Sequence, residues 1–133
     1  EISFAWFKHH LLARGLVEMT RFGLALGARS DTFFGVAGVG DLATTCFSPE
    51  GRNRSCGEAI ARGATLADYL EEQQCVVEGV PTVESVRRAA AELGLEMPIT
   101  EMVGRILFDD LDPRLAIKQL MARPSAAEGL REV

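Results

Sequence analysis

The chain has 133 residues, which is typical of one domain with its own core, and a formal net charge of −5. This acidic balance argues against general nucleic-acid binding, which needs a broad basic face to neutralise phosphates. No apolar run approaches the ~20 residues that a bilayer requires, and the three cysteines lack a C-x-x-C pair, so we expect a soluble cytoplasmic domain with buried thiols and neither disulfides nor a metal site.

Apolar residues that recur every three or four positions predict a series of helices, and glycine, proline and small polar residues mark their ends. The first is the longest, and its charged residues, including Glu18, are predicted to lie mostly off the apolar face. In chain order the predicted helices are Phe4–Leu26, Ser30–Phe34, Asp41–Thr45, Arg54–Arg62, Thr65–Gln73, Pro81–Leu93, Pro98–Phe108 and one from Asp112 that ends before Pro124.

The segments between these helices complete the prediction. Gly35, Gly38 and Gly40 are expected to break any regular period, and the stretch 75–77 is extended in propensity but has no partner strand, so it is interpreted as a connection. The chain is therefore predicted to be all-α, with a helical domain over residues 1–124 and a polar, flexible tail over 125–133.

The turn Gly51-Arg52-Asn53-Arg54 lies where a loop meets the start of a helix, and the free backbone amides at such a start favour an anion. The planar guanidinium of Arg52 can hold two phosphate oxygens at once, and Asn53 adds a neutral donor. The turn is thus either a phosphate site or a solvated turn with surface arginines.

Asp41 follows Gly40, and Thr45 stands four residues after it, on the same side of a helical turn. A carboxylate and a hydroxyl in this arrangement can bind a polyol. The alternative is that Asp41 caps a helix and that the nearby threonines fill gaps.

Three further groups have plain interpretations. His9 and His10 are adjacent, so they point to different sides of a helix and are interpreted as a solvated face and not as a metal site. Cys46 lacks a neighbouring base and is predicted to lie in the core. Glu78 is either a loop carboxylate or a contact to ligand hydroxyls.

A series of short motifs runs along the chain in this order: Arg14-Gly-Leu-Val-Glu-Met19, Leu24-Ala-Leu-Gly27, Ala37-Gly-Val-Gly-Asp-Leu42, Thr45-Cys46, Ser48-Pro49, Arg52-Asn-Arg54, Val77-Glu-Gly79 and Glu96-Met-Pro-Ile-Thr100. With these motifs the chain resembles, over about residues 8 to 123, the C-terminal, substrate-binding domain of bacterial NAD(P)-dependent glycerol-3-phosphate dehydrogenase.

The resemblance implies a helical domain of the 6-phosphogluconate dehydrogenase-like superfamily, packed against an N-terminal Rossmann domain that is absent from this chain. It implies interconversion of glycerol 3-phosphate and dihydroxyacetone phosphate with NAD or NADP, a step toward glycerophospholipid precursors. By position, the substrate would contact Asp41, Thr45, Gly51, Arg52 and Asn53, and the cofactor would contact Arg52, Val76 and Glu78.

The same resemblance places the general base, a lysine, upstream of the matched segment, so no catalytic residue is assigned here. Lys8 occupies a position that is often basic in the family, but it does not correspond to this catalytic lysine. We therefore expect the fragment alone to be inactive and to bind no cofactor stably. A homodimer is possible.

The alternative function is a stand-alone helical module that serves oligomerisation or anion binding without catalysis. The aromatic residues Phe4, Trp6 and Phe7 would suit a surface that faces a partner, or would be buried in the helix packing of the chain itself.

Overall fold

A computed structural model describes the backbone of residues 4–123 and the side chains of residues 9–123. No strand occurs in this part of the chain, which confirms the predicted all-α fold. The elements are α1 (Phe4–Ala25), α2 (Ser30–Phe33), a π-helix (Val36–Gly40), α3 (Asp41–Phe47), α4 (Arg52–Ala61), α5 (Leu66–Gln73), α6 (Gly79–Leu93), α7 (Pro98–Phe108) and α8 (Pro113–Ala122).

Several helix ends follow from local chemistry, as predicted. The Thr65 hydroxyl caps α5 by accepting the backbone N–H of Asp68 at 3.1 Å. Gly94 ends α6 in the left-handed region with φ 66°, where a side chain would be strained. Pro98 begins α7 at a position where its missing N–H costs nothing.

Other helix starts agree only in part with the prediction. Helix α2 begins at Ser30, as predicted, but no side chain at position 29 caps it, and the Arg29 guanidinium instead binds the Asp31 carboxylate at 2.5 Å. Two helices begin two residues earlier than predicted: α4 at Arg52 and α6 at Gly79.

The glycine-rich stretch does not break the helical structure, contrary to the prediction, but forms a π-helix that runs directly into α3. Its Gly38 is buried, and a Cβ there would lie 2.1 Å from the carbonyl oxygen of Phe33. This close backbone contact needs glycine and fixes where Asp41, the first residue of α3, is placed.

The long helix α1 is tied to the C-terminal helices by charged side chains. Glu18 is only 5% exposed, so the prediction that it lies off the packed face is wrong. Its carboxylate accepts hydrogen bonds from the first turn of α7. Arg14 donates from Nη1 to the carbonyl oxygen of Leu120 at 2.9 Å, near the C-terminus of α8.

Helices α6 and α7 are joined by Arg87, which binds both carboxylate oxygens of Glu101 at 3.0 Å and one of Asp109 at 3.2 Å. Gly104 leaves room for this guanidinium, because a Cβ there would lie 2.2 Å from Cδ of Arg87.

A small core joins α4, α5 and the connection before α6: Cys56, Tyr69 and Val77 are buried together. The prediction that all three cysteines are buried is wrong, because Cys46 is exposed and Cys75 is only partly buried. Within the described residues several large apolar side chains are exposed, namely Leu26, Phe34, Val36, Phe47, Val76, Leu93, Phe108, Leu115 and Ile117.

Leu26 and Leu93, the last residues of two predicted helices, are both exposed: Leu26 lies just beyond the end of α1, and Leu93 is the last residue of α6. None of the helices in residues 4–123 combines the length and hydropathy needed to span a bilayer. The predicted tail and the side chains of Phe4, Trp6, Phe7 and Lys8 lie outside what the structure describes.

Candidate functional site

The predicted polyol-binding pair lies on α3. Asp41 is its first residue and Thr45 stands one turn later, and both side chains are exposed. Thr44 differs from its neighbour, because its hydroxyl donates to the carbonyl oxygen of Gly40 at 2.9 Å. The structure therefore leaves Asp41 and Thr45, and not Thr44, available to a ligand.

The predicted phosphate turn is the N-terminus of α4. Gly51 is extended, with φ −68° and ψ 122°, and its carbonyl accepts the first helical hydrogen bond from Ser55 at 2.9 Å. The backbone N–H groups of the first turn have no acceptor within the helix. They give this end of α4 partial positive charge, which favours an anion.

The two arginines of this turn differ in their surroundings. Arg54 is half-buried and engaged by its neighbours: it donates to Glu58 at 2.8 Å and to the carbonyl oxygen of Ser48 at 3.3 Å. Arg52 is exposed and makes no ion pair with another described residue. Arg54 thus stabilises the turn, whereas the guanidinium of Arg52 remains available to bind an anion.

Asn53 connects the starts of two helices. Its side-chain Oδ1 accepts the backbone N–H of Gly79, the first residue of α6, at 3.0 Å. Gly79 is not among the predicted site residues, since nothing in the sequence relates positions 53 and 79 before the fold is known.

Val76 and Glu78 are exposed, and the buried Val77 between them anchors the connection to the core. The connection has no strand partner, as predicted. Glu78 has helical backbone angles and immediately precedes Gly79, so its exposed carboxylate is adjacent in the chain to the Asn53–Gly79 contact.

Two cavities in the described part of the chain have volumes of about 20 and about 300 Å³. The smaller surrounds Glu18, and the larger lies beside Arg87 and Met97, between α6 and α7. None of the predicted site residues lines either cavity. Asp41, Thr45, Arg52 and Asn53 are instead exposed outside these cavities.

The remaining candidates give no catalytic group. His9 and His10 are exposed, and the His9 ring lies 6.2 Å from the ring of Phe47. Partial removal from water raises the pKa of the Cys46 thiol, which disfavours the thiolate that a nucleophile requires.

The fold and the site define an all-helical domain whose polar candidate residues are exposed, namely Asp41, Thr45, Arg52, Asn53 and Glu78. Residues 6–118 match the family described as NAD-dependent glycerol-3-phosphate dehydrogenase C-terminus. The chain belongs to this family, which confirms the resemblance inferred from its motifs.

The similar proteins agree. A glycerol-3-phosphate dehydrogenase (NAD(P)+) 1 of Salinibacter ruber is 50% identical over 121 residues, which cover 91% of this chain and 36% of the relative. A relative of the same enzyme name from Geobacter sulfurreducens is 49% identical, with 89% and 35% covered. The crystal structure of glycerol-3-phosphate dehydrogenase from Coxiella burnetii aligns with a TM-score of 0.83 and 36% identity, over 86% of this chain and 35% of that one. The chain thus spans about a third of the length of the curated relatives it matches.

Proposed function

We propose that this chain is the substrate-binding domain of a cytoplasmic NAD(P)-dependent glycerol-3-phosphate dehydrogenase, which interconverts glycerol 3-phosphate and dihydroxyacetone phosphate and so supplies a glycerophospholipid precursor. The observation that carries the proposal is the exposed Arg52 at the start of α4, in a chain that belongs to this family. The stand-alone, non-catalytic module has no comparable observation in its favour.

The phosphate group would bind at the start of α4. A phosphate ester carries up to two negative charges, and the helix terminus offers backbone N–H donors with partial positive charge. Arg52 adds a planar pair of donors, Asn53 adds its NH2 group, and Gly51 allows close approach to the backbone.

The three-carbon part of the substrate would lie toward α3. The Asp41 carboxylate accepts hydrogen bonds from substrate hydroxyls, and the Thr45 hydroxyl can donate to or accept from an oxygen of the same molecule. Specificity would then come from the pairing of a polyol with an anion, since neither group alone distinguishes this substrate from other phosphates.

The nicotinamide cofactor, when bound, supplies or accepts the hydride. Residues of this chain fit its chemistry at the edge of the site: Arg52 can contact phosphate oxygens, the exposed Glu78 can accept from hydroxyls, and Val76 offers an apolar contact. The dinucleotide fold and the catalytic lysine would belong to a Rossmann domain, in cis or in trans. The exposed Phe34 and Val36 would suit packing against it.

A titration of the isotope-labelled chain with glycerol 3-phosphate, followed by NMR at low and high salt, tests the proposal. We expect weak binding, with shifts concentrated at the start of α4 and at Asp41, and a weaker affinity at high salt because the contact is between charges. Glycerol without phosphate is the control and should not shift α4. Equal shifts with glycerol and glycerol 3-phosphate, or shifts elsewhere only, would contradict the proposal.

A further inference from the structure

We infer that Gly79 is a positioning residue: its backbone N–H holds the side-chain amide of Asn53 so that the NH2 group of that amide faces the ligand. This inference rests on the proposed function, because the ligand in question is the phosphate ester at the start of α4. The class of ligand that this orientation of the Asn53 amide selects is an oxyanion.

The hydrogen bond decides how the Asn53 amide is turned. A backbone N–H can only donate, so the atom of Asn53 that lies 3.0 Å from the nitrogen of Gly79 must be the carbonyl oxygen. The NH2 group of the amide then remains available to a ligand, since it makes no hydrogen bond to another described residue. The side chain therefore presents donors only, which suits phosphate oxygens.

Contact, and not backbone conformation, explains why position 79 is glycine. Gly79 does not adopt the left-handed conformation, so an alanine there would not be strained by its φ angle. A Cβ at this position would instead lie 2.7 Å from Oδ1, 3.0 Å from Cγ and 3.2 Å from Nδ2 of Asn53. Any side chain at 79 must therefore push the whole amide group aside.

The residues around Gly79 hold its backbone N–H in a fixed position relative to α4. Val77 is buried in the core with Cys56, a residue of α4, and Val80 packs against the same cluster. The start of α6 is thus fixed relative to α4 on both sides of Gly79. If the Asn53 amide is displaced, α6 cannot shift to restore the hydrogen bond without opening this core.

The chain offers a matched control. Gly57 lies on α4, the helix that carries Asn53, and a Cβ there would meet nothing within 4 Å. Both Gly79→Ala and Gly57→Ala exchange a helical glycine for alanine, so the two variants make the same chemical change. They differ in the contact with Asn53.

The experiment titrates the labelled chain and its variants with glycerol 3-phosphate and, separately, with inorganic phosphate. We expect Gly79→Ala to weaken both by about tenfold, the scale of one hydrogen bond to a charged group, while Gly57→Ala leaves both unchanged. In an Asn53→Ala background, Gly79→Ala should weaken binding no further, a result that a merely structural role for Gly79 would not give.

The ligand-free spectra separate the two possible failures. Without ligand, Gly79→Ala should move the side-chain NH2 signals of Asn53 and Gly57→Ala should not. If Gly79→Ala leaves these signals or the affinity unchanged, the positioning role is overturned. If the unsubstituted chain binds no phosphate while Gly79→Ala still moves the Asn53 signals, the pairing stands and the failure belongs to the proposed function.

Discussion

Glu18, in the middle of α1, accepts two hydrogen bonds from Thr100 on one carboxylate oxygen: from the backbone N–H and from the hydroxyl, both at 3.1 Å. Its other oxygen accepts the backbone N–H of Ile99 at 2.5 Å. The Glu18 carboxylate therefore caps α7 although it belongs to α1. It places negative charge at the N-terminus of α7, which is the positive end of that helix.

Glu18→Ala should lower the free energy of unfolding by about 2 kcal/mol, because two partly buried N–H groups at the start of α7 lose their charged acceptor. Urea unfolding measures the change. Glu92→Ala is the control, since Glu92 is exposed on α6, and it should change stability by less than about 0.5 kcal/mol. Equal losses in the two variants would show that Glu18 does not cap α7.

The pH dependence of stability should carry the signature of Glu18. Burial raises the pKa of its carboxyl above the usual 4.5, and the hydrogen bonds from Ile99 and Thr100 and the charge of Arg21 offset this in part. Between 4.5 and the raised value the folded state holds a proton that the unfolded state has lost. The contribution of protonation to stability is thus complete below 4.5 and is lost as the pH rises through the folded pKa.

Glu18→Gln removes this titration while keeping an oxygen that can accept. The difference in free energy of unfolding between the unsubstituted chain and Glu18→Gln should therefore fall as the pH rises above 4.5, as measured by urea unfolding at a series of pH values. A difference that is constant with pH, or that grows, would contradict the raised pKa.

Glu18 also marks the limit of what the sequence could predict. Helical periodicity describes one helix at a time, and on that basis Glu18 falls off the apolar face of α1. Its burial depends on where the first turn of α7 docks, some eighty residues later in the chain. By contrast, Thr65, Gly94 and Pro98 act on their own helix ends, so the pattern alone predicted them.

The candidate site divides in the same way. The turn from Gly51 to Arg54 was recognisable because its residues are adjacent and the chemistry of a helix start is local. The difference between the free Arg52 and the engaged Arg54 was not, because it depends on Glu58 and the carbonyl of Ser48. The contact of Asn53 with residue 79 was likewise invisible until the fold brought α4 and α6 together.

Gly38→Ala should be among the most destabilising small substitutions in this domain. The new Cβ would lie 2.1 Å from the carbonyl oxygen and 2.4 Å from Cα of Phe33, and backbone atoms cannot move aside as a side-chain end can. We expect a loss of about 3 kcal/mol in urea unfolding, at the upper end for overpacking. Gly15→Ala, where a Cβ meets nothing within 4 Å, is the control and should not destabilise. A tolerated Gly38→Ala would mean that the π-helix is not held as described.

Arg52→Ala should lower kcat/KM for dihydroxyacetone phosphate by about a hundredfold in the complete enzyme, because a guanidinium contact to a phosphate is worth about 2 to 3 kcal/mol in transition-state binding. Stability should be unchanged, since Arg52 is exposed and has no ion-pair partner among the described residues. Arg62→Ala is the control: it removes the same charge from the other end of α4, where Arg62 pairs with Glu58 at 3.5 Å. Steady-state kinetics of both variants decide the matter. If the two lower kcat/KM equally, only the overall charge is at work, and if neither does, Arg52 does not bind the substrate.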